Sequence, residues 1–301
     1  MKYFYLLGAS ICSFLTYGQS DYILSNLDST KDDYAKIAMQ IWEYAEMGYQ
    51  EEKSSALLQN KLKESGFLVK AGVAGIPTAF VAEYNNGGAI IAILGEYDAL
   101  PGLSQKALPY KITNGKRGGH ACGHHLFGTA SAAAAISLKK YIEKNKVKGT
   151  IRYYGCPAEE GGAAKSFMVR DGAFDDVDAA ICWHPSGMTR VDEAQSLANT
   201  RMDFAFTGRA SHAAAAPHLG RSALDAAELM NVGVQYLREH IPQESRIHNA
   251  YLEAGGTAPN VVLARAVTRY AIRSTTLSGM RSLNERVQDI ARGAALMTGT
   301  K

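Results

Sequence analysis

The run Ala89-Ile90-Ile91-Ala92-Ile93-Leu94 does most to constrain the fold of this chain. An unbroken apolar stretch of strand length belongs to a strand buried on both faces, as strands of a parallel sheet are. Thr78 to Tyr84 is also strand-like, and Asn85-Asn86-Gly87-Gly88 between the two predicts a hairpin. A helix is predicted from about His124 to Lys144; its centre, Thr129 to Ile136, is nearly all small residues and can pack closely on a sheet. Thr150 to Tyr154 reads as a strand, Gly162 to Arg170 as a helix and Asp178 to Trp183 as a strand. Strands alternating with helices imply a layered α/β domain with a largely parallel sheet. Upstream, Asp28-Ser29-Thr30 precedes a helix whose apolar face carries Tyr34, Ile37, Ala38, Ile41, Trp42 and Ala45, and Ser54 is placed to cap a second helix ending near Gly66.

The pattern changes after Val191. Leu197 to Phe206 alternates like a half-exposed strand, Ser222 to His240 reads as a long helix, Ile247 to Leu252 and Ala264 to Ile272 as strands, and Ser282 to Leu296 as a helix. The order β-α-β-β-α lacks one strand of a split-βαβ, ferredoxin-like module, so a smaller α+β domain is expected over 195–301. At the other end, Lys2, the apolar run Tyr3 to Leu15 and then Thr16-Tyr17-Gly18-Gln19-Ser20 read as a signal peptide over 1–20, which implies an exported, periplasmic or secreted protein. The larger domain then covers 21–194. Net charge is +3, with no basic stripe interleaved with aromatics, which argues against nucleic-acid binding. The apolar N-terminal run is too short to span a bilayer, and no other segment is long and apolar enough. Of the four cysteines, Cys12 would leave with the leader, and the odd set Cys122, Cys156 and Cys182 argues against a disulfide framework.

Open α/β sheets bind ligands beyond the carboxyl ends of their strands. Asp98 follows the 89–94 strand; Cys122 and His124 follow it too, at the start of the next helix; Glu159 and Glu160 follow the 150–154 strand; His184 ends the next one. All would face one crevice. A thiolate and an imidazole two residues apart can ligate from one turn, Glu offers a hard oxygen, and His184 adds a nitrogen. This donor mix suits zinc, or manganese and cobalt where carboxylates and water dominate. Of two adjacent carboxylates, one can bind metal while the other moves protons. Each residue also has a plainer reading: Cys122 as a small buried residue, His184 as a core histidine, Glu159-Glu160 as a helix N-terminal pair. His120 and His125 are supporting or helix-cap candidates, and Cys156 and Cys182 read as core residues. In the smaller domain, Gly208-Arg209-Ala210-Ser211-His212, with His218 and Arg221 beyond, and Gly255-Gly256-Thr257-Ala258-Pro259-Asn260 are either substrate-orienting loops or ordinary turns.

Gly95-Glu96-Tyr97-Asp98-Ala99-Leu100-Pro101-Gly102, Gly119-His120-Ala121-Cys122-Gly123-His124, Pro157-Ala158-Glu159-Glu160-Gly161-Gly162, Trp183-His184-Pro185 and Ser211-His212-Ala213-Ala214 together resemble the binuclear metallopeptidases and amidohydrolases. That family includes aminoacylases, hippurate hydrolases, indole-acetyl-amino-acid hydrolases and glutamate carboxypeptidases. Gly155-Cys156-Pro157, Phe167-Met168-Val169-Arg170 and Pro217-His218-Leu219-Gly220-Arg221 resemble its p-aminobenzoyl-glutamate-cleaving branch. The resemblance implies a catalytic domain followed by a dimerisation or lid domain, with two divalent ions, zinc or manganese. It implies metal ligation by Cys122, His124, Glu160 and His184, with Glu159 as general base and Asp98 orienting a ligand. It implies that His212 serves the active site of a partner subunit and that Asn260 grips the substrate.

The implied reaction is hydrolysis of an N-acyl or N-aroyl amino acid, p-aminobenzoyl-glutamate in particular. The implied partners are that small molecule, a homodimer mate bound through 195–301, and a second type of subunit. A dipeptidase or aminoacylase of the same family is the alternative, and an inactive metal-binding or dimerisation remnant a third reading. The resemblance also implies that relatives continue past Lys301 with a last strand of the small domain, a return to the catalytic domain and one more histidine ligand. On that expectation the 301 residues alone would be poorly stable and weakly active. His125 stands where many relatives have Asp or Asn.

Overall fold

The computed structural model describes residues 2–189, 191 and 196–301, with side chains from residue 21 onward. The side chains of the expected leader lie outside the described residues, as does most of the stretch holding the expected 194/195 boundary. The chain divides into two compact units, Met1–Thr189 and Arg190–Lys301. Among the described residues no helix is long and apolar enough to cross a membrane.

In unit 1 the elements run α1 (Lys2–Tyr44), α2 (Glu52–Glu64), β1 (Leu68–Ala71), β2 (Phe80–Asn85), β3 (Ile90–Gly95), the short pair β4 (Leu100–Pro101) and β5 (Gly118–Gly119), α3 (His124–Asn145), β6 (Thr150–Gly155), α4 (Ala164–Arg170) and β7 (Ala179–Ile181). The five-stranded sheet has the order β1-β2-β6-β3-β7. β6, β3 and β7 are parallel, as the alternation of strands and helices implies, and β1 and β2 join antiparallel on one side. Tyr153 and Tyr154, neighbours on β6, are both buried on opposite faces. Tyr153 joins Ile41, Leu58, Leu62, Phe80 and Ile136 under α1–α3, and Tyr154 joins Ala92, Cys156 and Met168 under α4.

Three local expectations are corrected. The turn at 85–88 is real: Gly87 and Gly88 have φ of 71° and 75°, and the Asn85 side chain accepts from the Gly87 amide. Its flanking strands do not pair, because β6 lies between them, antiparallel to β2 (Phe80 opposite Gly155) and parallel to β3 (Ile90 opposite Thr150). α1 does not start at Asp28–Thr30. Ser29 and Thr30 turn their hydroxyls back onto the Asn26 carbonyl, which keeps them inside a helix rather than at its cap. Nor does Ser54 cap α2: the Glu46 carboxylate accepts from the Lys53 and Ser54 amides and from the Ser54 hydroxyl.

Unit 2 contains β8 (Ala198–Thr207), α5 (Ala223–Arg238), β9 (Arg246–Glu253), β10 (Arg265–Ser274) and α6 (Leu277–Thr298). Its antiparallel sheet has the order β8-β10-β9, the split-βαβ arrangement expected of it. Ser222 caps α5 through the Asp225 amide and Thr276 caps α6 through the Gly279 amide. Met230, Val234, Tyr270, Ile272 and Val287 fill a core in which the two helices lie on one face of the sheet. After α6, Gly299 (φ 63°) turns the backbone so that Lys301 and Thr207 exchange both main-chain hydrogen bonds, at 2.7 and 2.9 Å, along the free edge of β8.

Candidate metal centre

Close backbone approaches bring the site together. Gly123 adopts φ 83°, and a Cβ there would lie 2.9 Å from the Pro185 side chain; only glycine lets the Cys122–His124 turn meet the His184–Pro185 segment. A Cβ on Gly128 would lie 2.5 Å from the Glu96 carbonyl, so this small residue lets α3 press against the end of β3. Ala158 and Ala163 take positive φ (53° each) at the ends of the loop that carries Glu159 and Glu160. Such a backbone costs roughly 1–2 kcal/mol per residue and needs outside support. Glu51, wholly buried, gives part of it by accepting from the Ala158 amide at 2.8 Å and the Thr78 hydroxyl at 3.1 Å.

The two histidines are oriented alike. His124 Nδ1 donates to Asp98 Oδ1 at 2.9 Å, and His184 Nδ1 donates to the Pro185 carbonyl at 3.0 Å. Both therefore turn Nε2 inward, and His184 Nε2 stands 3.5 Å from Cys122 Sγ. An oxygen acceptor on one ring nitrogen is the usual support for a ligand at the other. Both Asp98 oxygens are engaged: Oδ2 accepts from the Glu160 amide at 2.9 Å while Oδ1 takes His124. The Glu159 and Glu160 carboxylates each come within 3.9 Å of His124 Nε2.

Two sets of donor atoms lie within 4.8 Å of one another: Cys122, His124 and His184, and Glu96, His124 and Glu159. Buried polar atoms collect here without hydrogen-bond partners among the described residues, including His124 Nε2, Glu160 Oε1 and Glu96 Oε2. Such orphans are costly unless something else satisfies them. A divalent cation would, and the donor chemistry fits one. The electrostatics agree. Burial lowers the His124 pKa, but the Asp98 and Glu96 carboxylates prevail and push it up to about 10, so positive charge is favoured at that ring. Burial, then the neighbouring Glu160 carboxylate, pushes the Cys122 thiol up to about 12, and a thiolate there needs a cation beside it. Burial, then the charge of Glu96, raises the Glu159 carboxyl above its ordinary value.

The structure thus brings Asp98, Cys122, His124, Glu159, Glu160 and His184 together. His212 and Asn260 lie in unit 2, on paired loops: the Ala213 amide donates to the Asn260 carbonyl at 2.9 Å. His212 Nδ1 accepts from the Ala214 and Ala215 amides at 3.2 and 3.1 Å, which leaves the ring proton on Nε2. His120 and His125 are not caps. His120 Nε2 donates to the Ile41 carbonyl at 3.1 Å, and His125 lies edge-on to Trp42, so both pack against α1. Cys156 is buried as expected, but Cys182 is exposed, because β7 is an edge strand whose three residues are all exposed. Sequence reasoning missed Glu51 and Glu96 as parts of the site. Their only signal was a carboxylate at a position that the fold buries.

The signature of peptidase family M20/M25/M40 matches residues 92–298. The chain is 48% identical over 277 residues to one subunit of the p-aminobenzoyl-glutamate hydrolase of Escherichia coli, an alignment covering 91% of this chain and 57% of that protein. It is 30% identical over 285 residues to the Xaa-Arg dipeptidase of Mus musculus, covering 91% of this chain and 62% of that one. The chain therefore spans 57% and 62% of the length of these curated relatives. Among solved structures it resembles in fold a dinuclear metal-binding peptidase of Bacillus subtilis, with a TM-score of 0.62 at 21% identity over 91% of this chain and 72% of the other. With a signature that spans well over half its length, the chain belongs to peptidase family M20/M25/M40.

Proposed function

We propose that this chain carries the metal centre of an amidohydrolase that cleaves an N-acyl or N-aroyl amino acid, with p-aminobenzoyl-glutamate as the substrate. The observation that carries the reading is the convergence of Cys122 Sγ and two inward-facing imidazole Nε2 atoms on a buried patch of carboxylates whose oxygens lack partners. The likeness to the Escherichia coli hydrolase supports the substrate. Cys122, His124, Glu160 and His184 would hold two divalent ions, zinc or manganese, and the dinuclear Bacillus subtilis neighbour supports that number. Ions bound there supply Lewis acidity toward the amide carbonyl and the attacking water.

The protein's own groups do the rest. Glu159, half-exposed and with its carboxyl raised, takes the proton from the attacking water and delivers it to the departing amine. Asp98 holds the His124 ring and the Glu160 backbone in register. His212, with Nε2–H free to donate, and Asn260 orient the substrate's carbonyl or carboxylate. In this reading unit 2 pairs two copies so that His212 serves the partner's centre, a subunit of a second type is a further partner, and residues 1–20 direct export.

The test is release of p-aminobenzoate and glutamate by the purified, metal-loaded protein, alongside Glu159→Ala. The variant should keep its metal and lose turnover by about 10²–10⁴-fold, the contribution typical of a general base. Undiminished turnover in the variant would remove Glu159 from that role, and a wild type inert toward every acyl amino acid in a panel would remove the reaction.

A further inference from the structure

We infer that Glu96 is a metal ligand of this centre, a role that builds on the reading above and adds a carboxylate to its donor set. Glu96 leaves the end of β3 and is only 4% exposed. Its two oxygens face different neighbours. Oε1 pairs with the Lys165 ammonium from α4, whereas Oε2 lies 3.0 Å from His124 Nε2. Neither Oε2 nor Nε2 has a hydrogen-bond partner among the described residues, although the two atoms are so close. They are spaced and aimed as two donors that share a third body. With metal–nitrogen and metal–oxygen bonds of about 2.0–2.2 Å, two donors on one ion stand roughly 3 Å apart.

Asp98, two residues further on, faces the other ring nitrogen: its Oδ1 accepts from His124 Nδ1 and its Oδ2 from the Glu160 amide. The bland account makes Glu96 a counter-ion for Lys165. That account pairs Oε2 only when His124 carries a second proton on Nε2; with a single ring proton on Nδ1, Oε2 and Nε2 are two acceptors 3.0 Å apart, an arrangement that a shared cation relieves. Lys165 instead acts as a clamp, fixing the carboxylate so that its second oxygen stays turned to the imidazole.

The experiment is titration of chelator-stripped protein with Co2+, read by visible absorption and bound-ion count, for wild type, Glu96→Gln and Lys165→Met, with Cys122→Ser identifying the sulfur-to-cobalt charge-transfer band. Glu96→Gln should bind Co2+ about 10–100-fold more weakly and shift the ligand-field bands while the Cys122 band stays. Lys165→Met should weaken binding less and keep the wild-type band positions. Wild-type affinity, ion count and spectrum in Glu96→Gln would overturn the inference and leave the metal centre standing. A wild type that binds no Co2+ would overturn both. Should thermal melting show Glu96→Gln to be unfolded, Glu96→Asp replaces it. It keeps a charge for Lys165 but shortens the reach, and an unchanged cobalt spectrum in that variant would likewise overturn the inference.

Discussion

The two units bury different things. Among the described residues, unit 2 buries no carboxylate, imidazole or cationic side chain: apart from the Tyr270 phenol its buried polar groups are Ser245, Thr268 and Ser274, in an otherwise apolar core. Unit 1 buries Glu51, Glu96, Asp98, His120, His124 and His125, and several of their polar atoms have no partner. Unit 2 agrees with its sequence pattern from strand alternation to helix caps, as a structural module should, and among the described residues its buried atoms without a partner are single neutral oxygens, Ser211 Oγ and Asn284 Oδ1, rather than a cluster of charged groups. Unit 1 breaks the rules of burial in one region, at the carboxyl ends of its parallel strands, where an α/β sheet binds ligands. The contrast places the candidate metal centre in the first unit.

The largest effect expected of a test of this contrast is in unit 2. Met230→Ala removes a fully buried side chain from its core and should cost about 2–5 kcal/mol in thermal or denaturant unfolding. Cobalt affinity at the unit 1 centre should be unchanged, and a large loss of affinity would erase the division of labour. Next, Asp98→Asn should weaken metal binding by about 10–100-fold without unfolding unit 1, because it disturbs both the His124 ring and the Glu160 backbone. Wild-type affinity in Asp98→Asn would mean that the two ligands are held by other contacts.

The smallest effect concerns Glu51. Burial raises its carboxyl pKa above the ordinary value, against opposing hydrogen bonds from Ala158 and Thr78. A raised folded-state value means that the folded chain binds the proton more tightly than the unfolded chain does. Stability from this group is then fully present below the unfolded value, about 4.3, and is lost as pH rises through the folded one. Glu51→Gln should therefore gain melting temperature relative to wild type across that window. A difference that does not vary with pH would show that Glu51 is not strained by its burial.

Elements with local periodicity were legible in the sequence. The alternation of β8 and the apolar stripes of α5 and α6 describe unit 2 within a few residues of its observed bounds. The positions of Cys122, His124, Glu159, Glu160 and His184 after successive strands were legible too, because an α/β sheet collects its chemistry at one end. What failed was non-local. Asn85–Gly88 has true turn chemistry, yet the partner of each flanking strand comes from β6. Glu51 matters through Ala158 and Thr78, and Glu96 through Lys165 and His124, so neither is distinguishable from a surface carboxylate until the sheet order is known. Cys182 is exposed because an edge strand buries less than its apolar composition suggests.

The place of β6 also bears on how the chain is made. As the polypeptide emerges from the ribosome, the segments that become β2 and β3 appear together but have no bonds to offer each other. β2 can pair with β1 in the meantime, but the facing edges of β2 and β3 stay open to water through the synthesis of α3 until Gly155 is out, when a single incoming segment can pair with both. Delayed, long-range pairing of this kind is slow and leaves sticky edges in the interval. For this protein, the wait for β6 is when a chaperone would matter most and when nascent chains would be most prone to stick to one another.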